Sequence, residues 1–145
     1  MAFDTATILD QLAERIEALT PATQANRDDR YQVTIGVDAA MVGKRHVLLE
    51  AEGGIRRPSG GRTCDDWQTT VEITTDYPLS QGERGARGVY SHALQDSEDM
   101  LADLYLWSVT TAAIQKIEPQ PATIDDDGKG VLRVLRTIYI EFKRS

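Results

Sequence analysis

The stretch from Ser97 to Ile117, SEDMLADLYLWSVTTAAIQKI, constrains the fold of this chain most. Met100, Leu104, Trp107 and Ile114 fall on one helical stripe, and Leu101, Tyr105, Ser108 and Ala112 fall on the next. Spacings of three and four join the two into one wide face. Leu106 and Val109 extend it until only a narrow polar strip remains. The spacing predicts a helix over 97–117, capped by Asp96 or Ser97 and stopped at Glu118-Pro119. A helix this apolar must be covered, and the β-like runs on either side of it supply a sheet as the cover.

The first of these flanking elements is itself helical. Ile8, Leu12, Ile16 and Leu19 make an apolar stripe with Leu9 and Ala13 beside it, so an amphipathic helix runs from a cap at Asp4 or Thr5 to about Leu19. Thr20-Pro21 ends it. Tyr31–Val37 alternates as a half-buried strand, and Arg45–Ala51 follows with weaker alternation. Trp67–Thr75, WQTTVEITT, is rich in β-branched residues and alternates again. Ala122–Ile124 is a short strand. The run Asp125-Asp126-Asp127-Gly128-Lys129-Gly130 is a turn, and Val131–Phe142 is a long last strand. Along that strand Leu132, Val134, Arg136, Ile138, Ile140 and Phe142 share one face, and Val131, Arg133, Leu135, Thr137, Tyr139 and Glu141 share the other.

Two stretches interrupt this pattern. Gly53–Arg62, GGIRRPSGGR, holds four glycines, a proline and three arginines in ten residues. It reads as a long loop rather than a packed element. Leu79–Val89, LSQGERGARGV, is a second loop of the same kind. The resulting order of helix, strands, helix and hairpin favours an α+β fold over a doubly wound sheet. The expected architecture is a largely antiparallel sheet of about four to five strands against an N-terminal and a central helix. No linker divides the chain of 145 residues, which is long enough for one core. A single α+β domain over 1–145 is therefore expected.

Composition narrows the function classes. The formal net charge of −7 argues against nonspecific nucleic-acid binding through the whole surface. No apolar run approaches the ~20 residues of a membrane helix. The N-terminus lacks the charged-then-apolar layout of an export signal. The single Cys64 excludes an intrachain disulfide and a four-cysteine metal site. A reducing cytoplasm is the simplest setting.

The chemistry-bearing residues form no recognised constellation. His46 and His92 have no metal-ligand spacing. The glycines at 82, 85 and 88 match neither GxGxxG nor a Walker loop, and Gly128-Lys129-Gly130 lacks the Ser or Thr. Asp125–Asp127 has no EF-hand spacing and runs straight into a strand, so a solvated turn is the better reading. Ser59 is in no GxSxG elbow, and Cys64 has no nominated partner. Neither a cofactor nor a catalytic residue is expected. The arginine–glycine loops remain: Ile55, Arg56, Arg57 and Arg62 in the first, Arg84 and Arg87 in the second. They either keep the loops soluble or engage an acidic partner, and the overall acidity places protein partners ahead of nucleic acid.

The layout resembles a known family. A short amphipathic helix comes first, then strands split by a long irregular loop, then WQTTVEITTDYP and a Gly/Arg loop. The helix EDMLADLYLWSVTTAAI follows, and a hairpin ends in VLRVLRTIYIEFKRS. In order and texture, over nearly the whole chain, this resembles the tail terminator (tail-completion) proteins of long-tailed bacteriophages and related gene transfer agents. The resemblance implies a structural virion protein with no catalytic residue. It would be a homo-oligomer, usually a hexameric ring, assembled in the host cytoplasm and residing in the neck region of the tail. Its partners would be the tail tube protein and the head–tail connector, with DNA passing through the channel unread and no membrane contact. The six loop residues named above are then the interface candidates. Other readings are another neck or head–tail joining protein, a tail tube subunit, a small ligand-binding or enzymatic α+β domain with walls from Trp67, Trp107, Tyr105 and His92, and a nucleic-acid module using the arginines.

Overall fold

The computed structural model describes residues 3–21, 31–36, 46–56, 66–78, 87–126, 128 and 130–144. Helix α1 spans Thr5–Ala18. Asp4 caps it: one carboxylate oxygen accepts 2.9 Å hydrogen bonds from both the backbone N–H and the hydroxyl of Thr7. Ile8, Leu12 and Ile16 are buried, as the stripe predicts. Strands β1 (Gln32–Ile35), β2 (His46–Ala51), β3 (Ile55–Arg56) and β4 (Asp66–Pro78) follow. Helix α2 then spans Arg87–Thr110, before β5 (Ile114–Pro119), β6 (Thr123–Asp126) and β7 (Val131–Lys143).

The fold is α+β with a mostly antiparallel sheet and two helices. Five strands form the continuous path β1-β2-β4-β7-β5, and the short β3 on β4 and β6 on β7 bring the number to seven. Among the described residues the one parallel pair is β1 with β2. Residues 36–45 separate these strands, far more than a two-residue hairpin uses, so the chain can return in the same direction.

The boundaries of α2 differ from the sequence expectation at both ends. The helix begins ten residues earlier, at Arg87, because Val89, Ala93, Ser97 and Met100 already carry helical spacing. Asp96 and Ser97 are therefore not caps but buried positions within it. Asp96 accepts a 2.8 Å bond from the Tyr77 hydroxyl. The helix also ends earlier, at Thr110, whose hydroxyl turns back to the Leu106 carbonyl at 2.8 Å. Ile114 and Ile117, expected on the helix, belong to β5 and pair with Phe142 and Ile140 of β7. Two β-branched residues beside an apolar strand gain more as its neighbours than as a last helical turn.

Alternation along β4 and β7 separates the two faces of the sheet. Val71 and Ile73 on β4 point inward with Val134, Ile138, Ile140 and Phe142 on β7, and Val47 and Leu49 join them from β2. Both helices lie on this face, α1 over β1 and β2 and α2 over β5 and β7. They meet through Arg15, which forks onto Asp103 with two 2.9 Å bonds, and through the Trp107 indole N–H, which donates to Gln11 at 2.9 Å. At the open end of the core, Phe3 stacks edge-on against Phe142 with centroids 6.0 Å apart. The Phe3 N–H donates to the Arg144 carbonyl, tying the start of the described chain to its end.

Two measurements check this frame. Ile138 has no exposed surface, so Ile138→Ala should cost about 2–5 kcal/mol of unfolding free energy in denaturant titrations. At Asp4, the Thr7 N–H, and after it the Thr7 hydroxyl, hold the carboxylate pKa below the ordinary aspartate value. That contribution is present above the ordinary value and is lost as pH falls through the lowered one. Asp4→Ala should thus lower Tm at neutral pH and converge with the parent chain in strong acid, as read by circular dichroism across a pH series.

Candidate functional site

Among the described residues, helices lie on one face of the sheet only, which leaves two surfaces that no described element covers. The first is the outer side of α2. Met100, Leu104 and Trp107 turn inward and are buried. Tyr90, Leu94, Tyr105, Leu106 and Val109 turn away, and Val109 is 80% exposed. Of the large apolar side chains exposed among the described residues, most are on this one helix. Tyr90 and Leu94 lie one turn apart, as do Tyr105 and Val109 with Leu106 beside them, so the exposed apolar residues form two clusters on α2 with exposed Glu98 between them. The sheet covers only half of what the sequence made apolar. Trp107 and Tyr105 leave α2 on opposite sides, so they do not wall a common pocket.

Beneath α2, the space between the helix and the sheet is nearly filled. A cavity of about 20 Å³ remains, lined by Thr75, Tyr77, Ser97, Met100, Leu104 and Arg136 among others. That is room for about one water. Arg136 sits on the inward face of β7 in an otherwise apolar row and is 9% exposed. Its guanidinium donates to the Gln120 carbonyl at 2.8 Å and to the Ser97 hydroxyl at 2.7 Å. Burial pushes its pKa below the ordinary arginine value, with Tyr105 and Glu98 acting in the opposite sense. These bonds join β7, α2 and the β5–β6 connection at one point.

The second surface is the face of the sheet away from the helices. One row runs across four strands: His46 on β2, Asp76 on β4, Arg133 on β7 and Asp125 on β6 are consecutive cross-strand partners. Arg133 forks onto Asp76, with Nε to Oδ1 at 2.8 Å and Nη2 to Oδ2 at 2.9 Å. His46 Nε2 lies 2.8 Å from the Thr34 hydroxyl. The contact ties β1 to β2, and His46 and its cross-strand partner Asp76 are both buried.

Two rungs at the other end of this face form a groove. In one, Glu118, Tyr139 and Thr70 are aligned across β5, β7 and β4; in the next, Lys116, Glu141, Gln68 and Ile55 are aligned as far as β3. With Glu52 and Gly53 at the rim they enclose about 310 Å³. Tyr139 and Ile55 are exposed apolar side chains here. Lys116 bridges Glu118 at 2.7 Å, and among the described lining residues the carboxylates of Glu52, Glu118 and Glu141 outnumber this one cation.

Of the six loop candidates, Ile55 lines this groove. Arg56 is exposed one position on and pairs with Trp67 of β4. Arg87 is the first residue of α2. Arg57, Arg62 and Arg84 lie outside the described residues, as do Ser59 and Cys64. The expectation that Gly53–Arg62 contains no packed element is corrected at Ile55–Arg56, which forms β3. A side chain at Gly54 would bring a Cβ within 2.9 Å of the Thr5 hydroxyl and 3.5 Å of Trp67, so this backbone docks closely on the first turn of α1. Sequence reasoning did not single out Glu52, Lys116, Glu118 and Tyr139 as a site. Only Tyr139 carries a sequence signal, its place on the outward face of β7, and strand pairing sets the other three near it.

Among the described residues no group of histidine, cysteine or acidic side chains could hold a metal ion, and no helix is long and apolar enough to cross a membrane. No protein-family model matches the chain, and comparison with curated proteins gives no match.

The close approach at Gly54 is directly testable. Gly54→Ala should destabilise by about 1 kcal/mol or more, the scale of overpacking. Gly53→Ala, whose added Cβ meets nothing within 4 Å, should leave Tm nearly unchanged.

Proposed function

We propose that this chain is a ring-forming tail terminator subunit of a long-tailed phage or gene transfer agent, a structural protein that caps the tail tube and joins it to the head connector. The apolar cluster left open at the C-terminal end of α2, Tyr105, Leu106 and Val109, carries this reading. An exposed cluster of large apolar side chains marks a protein interface. The sheet supplies one cover, and a neighbouring copy supplies the other. The order of elements that suggested the family supports the same reading, because both helices and the long final strand are present in sequence order. Closed rings arise when head-to-tail contacts repeat with a rotation that closes. The carboxylate-rich sheet face suits a channel through which DNA slides without being held.

The mass of the purified protein, alone and mixed with tail-tube subunits, tests the proposal. A discrete ring that binds tube ends and stops their growth is expected. Leu106→Asp/Val109→Asp should leave a folded monomer, with Tm close to the parent, that no longer forms the ring. A protein that grows into long tubes by itself would be a tube subunit. A monomer indifferent to tube at high concentration would overturn the proposal.

A further inference from the structure

The groove on the helix-free face of the sheet has a chemistry unlike that of the apolar clusters on α2. We propose that it docks a cationic segment of a different protein, with an arginine side chain seated over Tyr139 between Glu52 and Glu118. The inference rests on the groove alone and not on ring formation.

Tyr139 is 46% exposed at the floor, and its ring offers a face to a guanidinium. Glu118 is its direct cross-strand neighbour on β5. Glu52 stands at the rim on the β3 side, where its N–H and carbonyl are fixed by Thr70 and Thr69. Ile55 adds an exposed apolar wall. A cation flanked by an apolar residue fits these four groups together: it shares Glu118 with Lys116, and the three carboxylates Glu52, Glu118 and Glu141 against the single Lys116 in the lining disfavour an anion. The groove is about 310 Å³, the lower end of the range for small-molecule sites, which suits one long side chain and part of its neighbour. This chain already uses both halves of that chemistry: Arg144 lies 4.7 Å above the Trp67 ring, and Arg133 forks onto Asp76. A buried aromatic or arginine anchor with charged surroundings is the usual centre of a protein interface.

The test is fluorescence anisotropy of the full chain with a labelled hexapeptide of alternating arginine and leucine, and with its glutamate-for-arginine counterpart. The arginine peptide should bind and the glutamate peptide should not. Glu52→Gln/Glu118→Gln should weaken binding about tenfold, the scale of losing charge-assisted contacts. Tyr139→Ala should weaken it about fivefold through loss of the ring face. Glu14→Gln/Glu17→Gln removes the same charge from the exposed side of α1 and should leave Kd unchanged. Thermal unfolding verifies that each variant is folded. Equal weakening by both glutamine pairs would mean bulk charge attraction and would overturn the proposal, as would absence of binding. Sedimentation of the groove variants separates the remaining occupant: if they lose self-association instead, the groove belongs to a second copy and the proposal fails. Ring formation in variants that lose only peptide binding distinguishes this outcome from failure of the terminator reading.

Discussion

The pairing of β4 with β7 is the constraint on which the rest depends. The two longest strands run antiparallel in unbroken register from Asp66 opposite Lys143 to Pro78 opposite Val131. Every other strand except β1 attaches to this pair directly. Because side chains alternate strictly along a strand, one register decides the chemistry of both faces at once. A slip of one residue would send Ile138 and Ile140 to solvent and bring Tyr139 and Glu141 under the helices. The core and the groove are thus two results of a single alignment.

That dependence explains what was legible in the sequence. The faces of β7 could be read from period two alone, and Leu132 to Phe142 are inward as alternation requires, with Tyr139 and Glu141 outward. The α1 stripe was equally plain because one side of it is polar. The α2 region was harder. Its apolar residues surround the helix, so period gave no boundary, and Ile114 looked like one more helical position. Only the pairing partner, Phe142 on β7, distinguishes a strand there. The groove was less legible still. It joins residues from β3, β4, β5 and β7, and no local pattern announces which outward residues will become neighbours.

Arg136 shows how a polar residue in an apolar row is accommodated. Its guanidinium is placed where the backbone carbonyl of Gln120 and a hydroxyl within α2 both accept from it. Buried donors without partners are costly, so the position of α2 along β7 is linked to these two bonds. Apolar contacts alone would tolerate a small slide of the helix, and directional hydrogen bonds tolerate much less. The same logic applies at Tyr77 and Asp96, where a strand hydroxyl meets a helix carboxylate in the interior.

The edge formed by β5 has a consequence of its own. It carries Lys116 and Glu118 exposed, ends in Pro119, and its pairing with β7 is irregular between Ile114 and Lys116. Charges, proline and a bulge each discourage a foreign strand from adding there. Open-ended stacking of sheets through that margin is therefore disfavoured. At this margin, apolar helix surface can stay available for association without the β5 strand templating fibrous pairing.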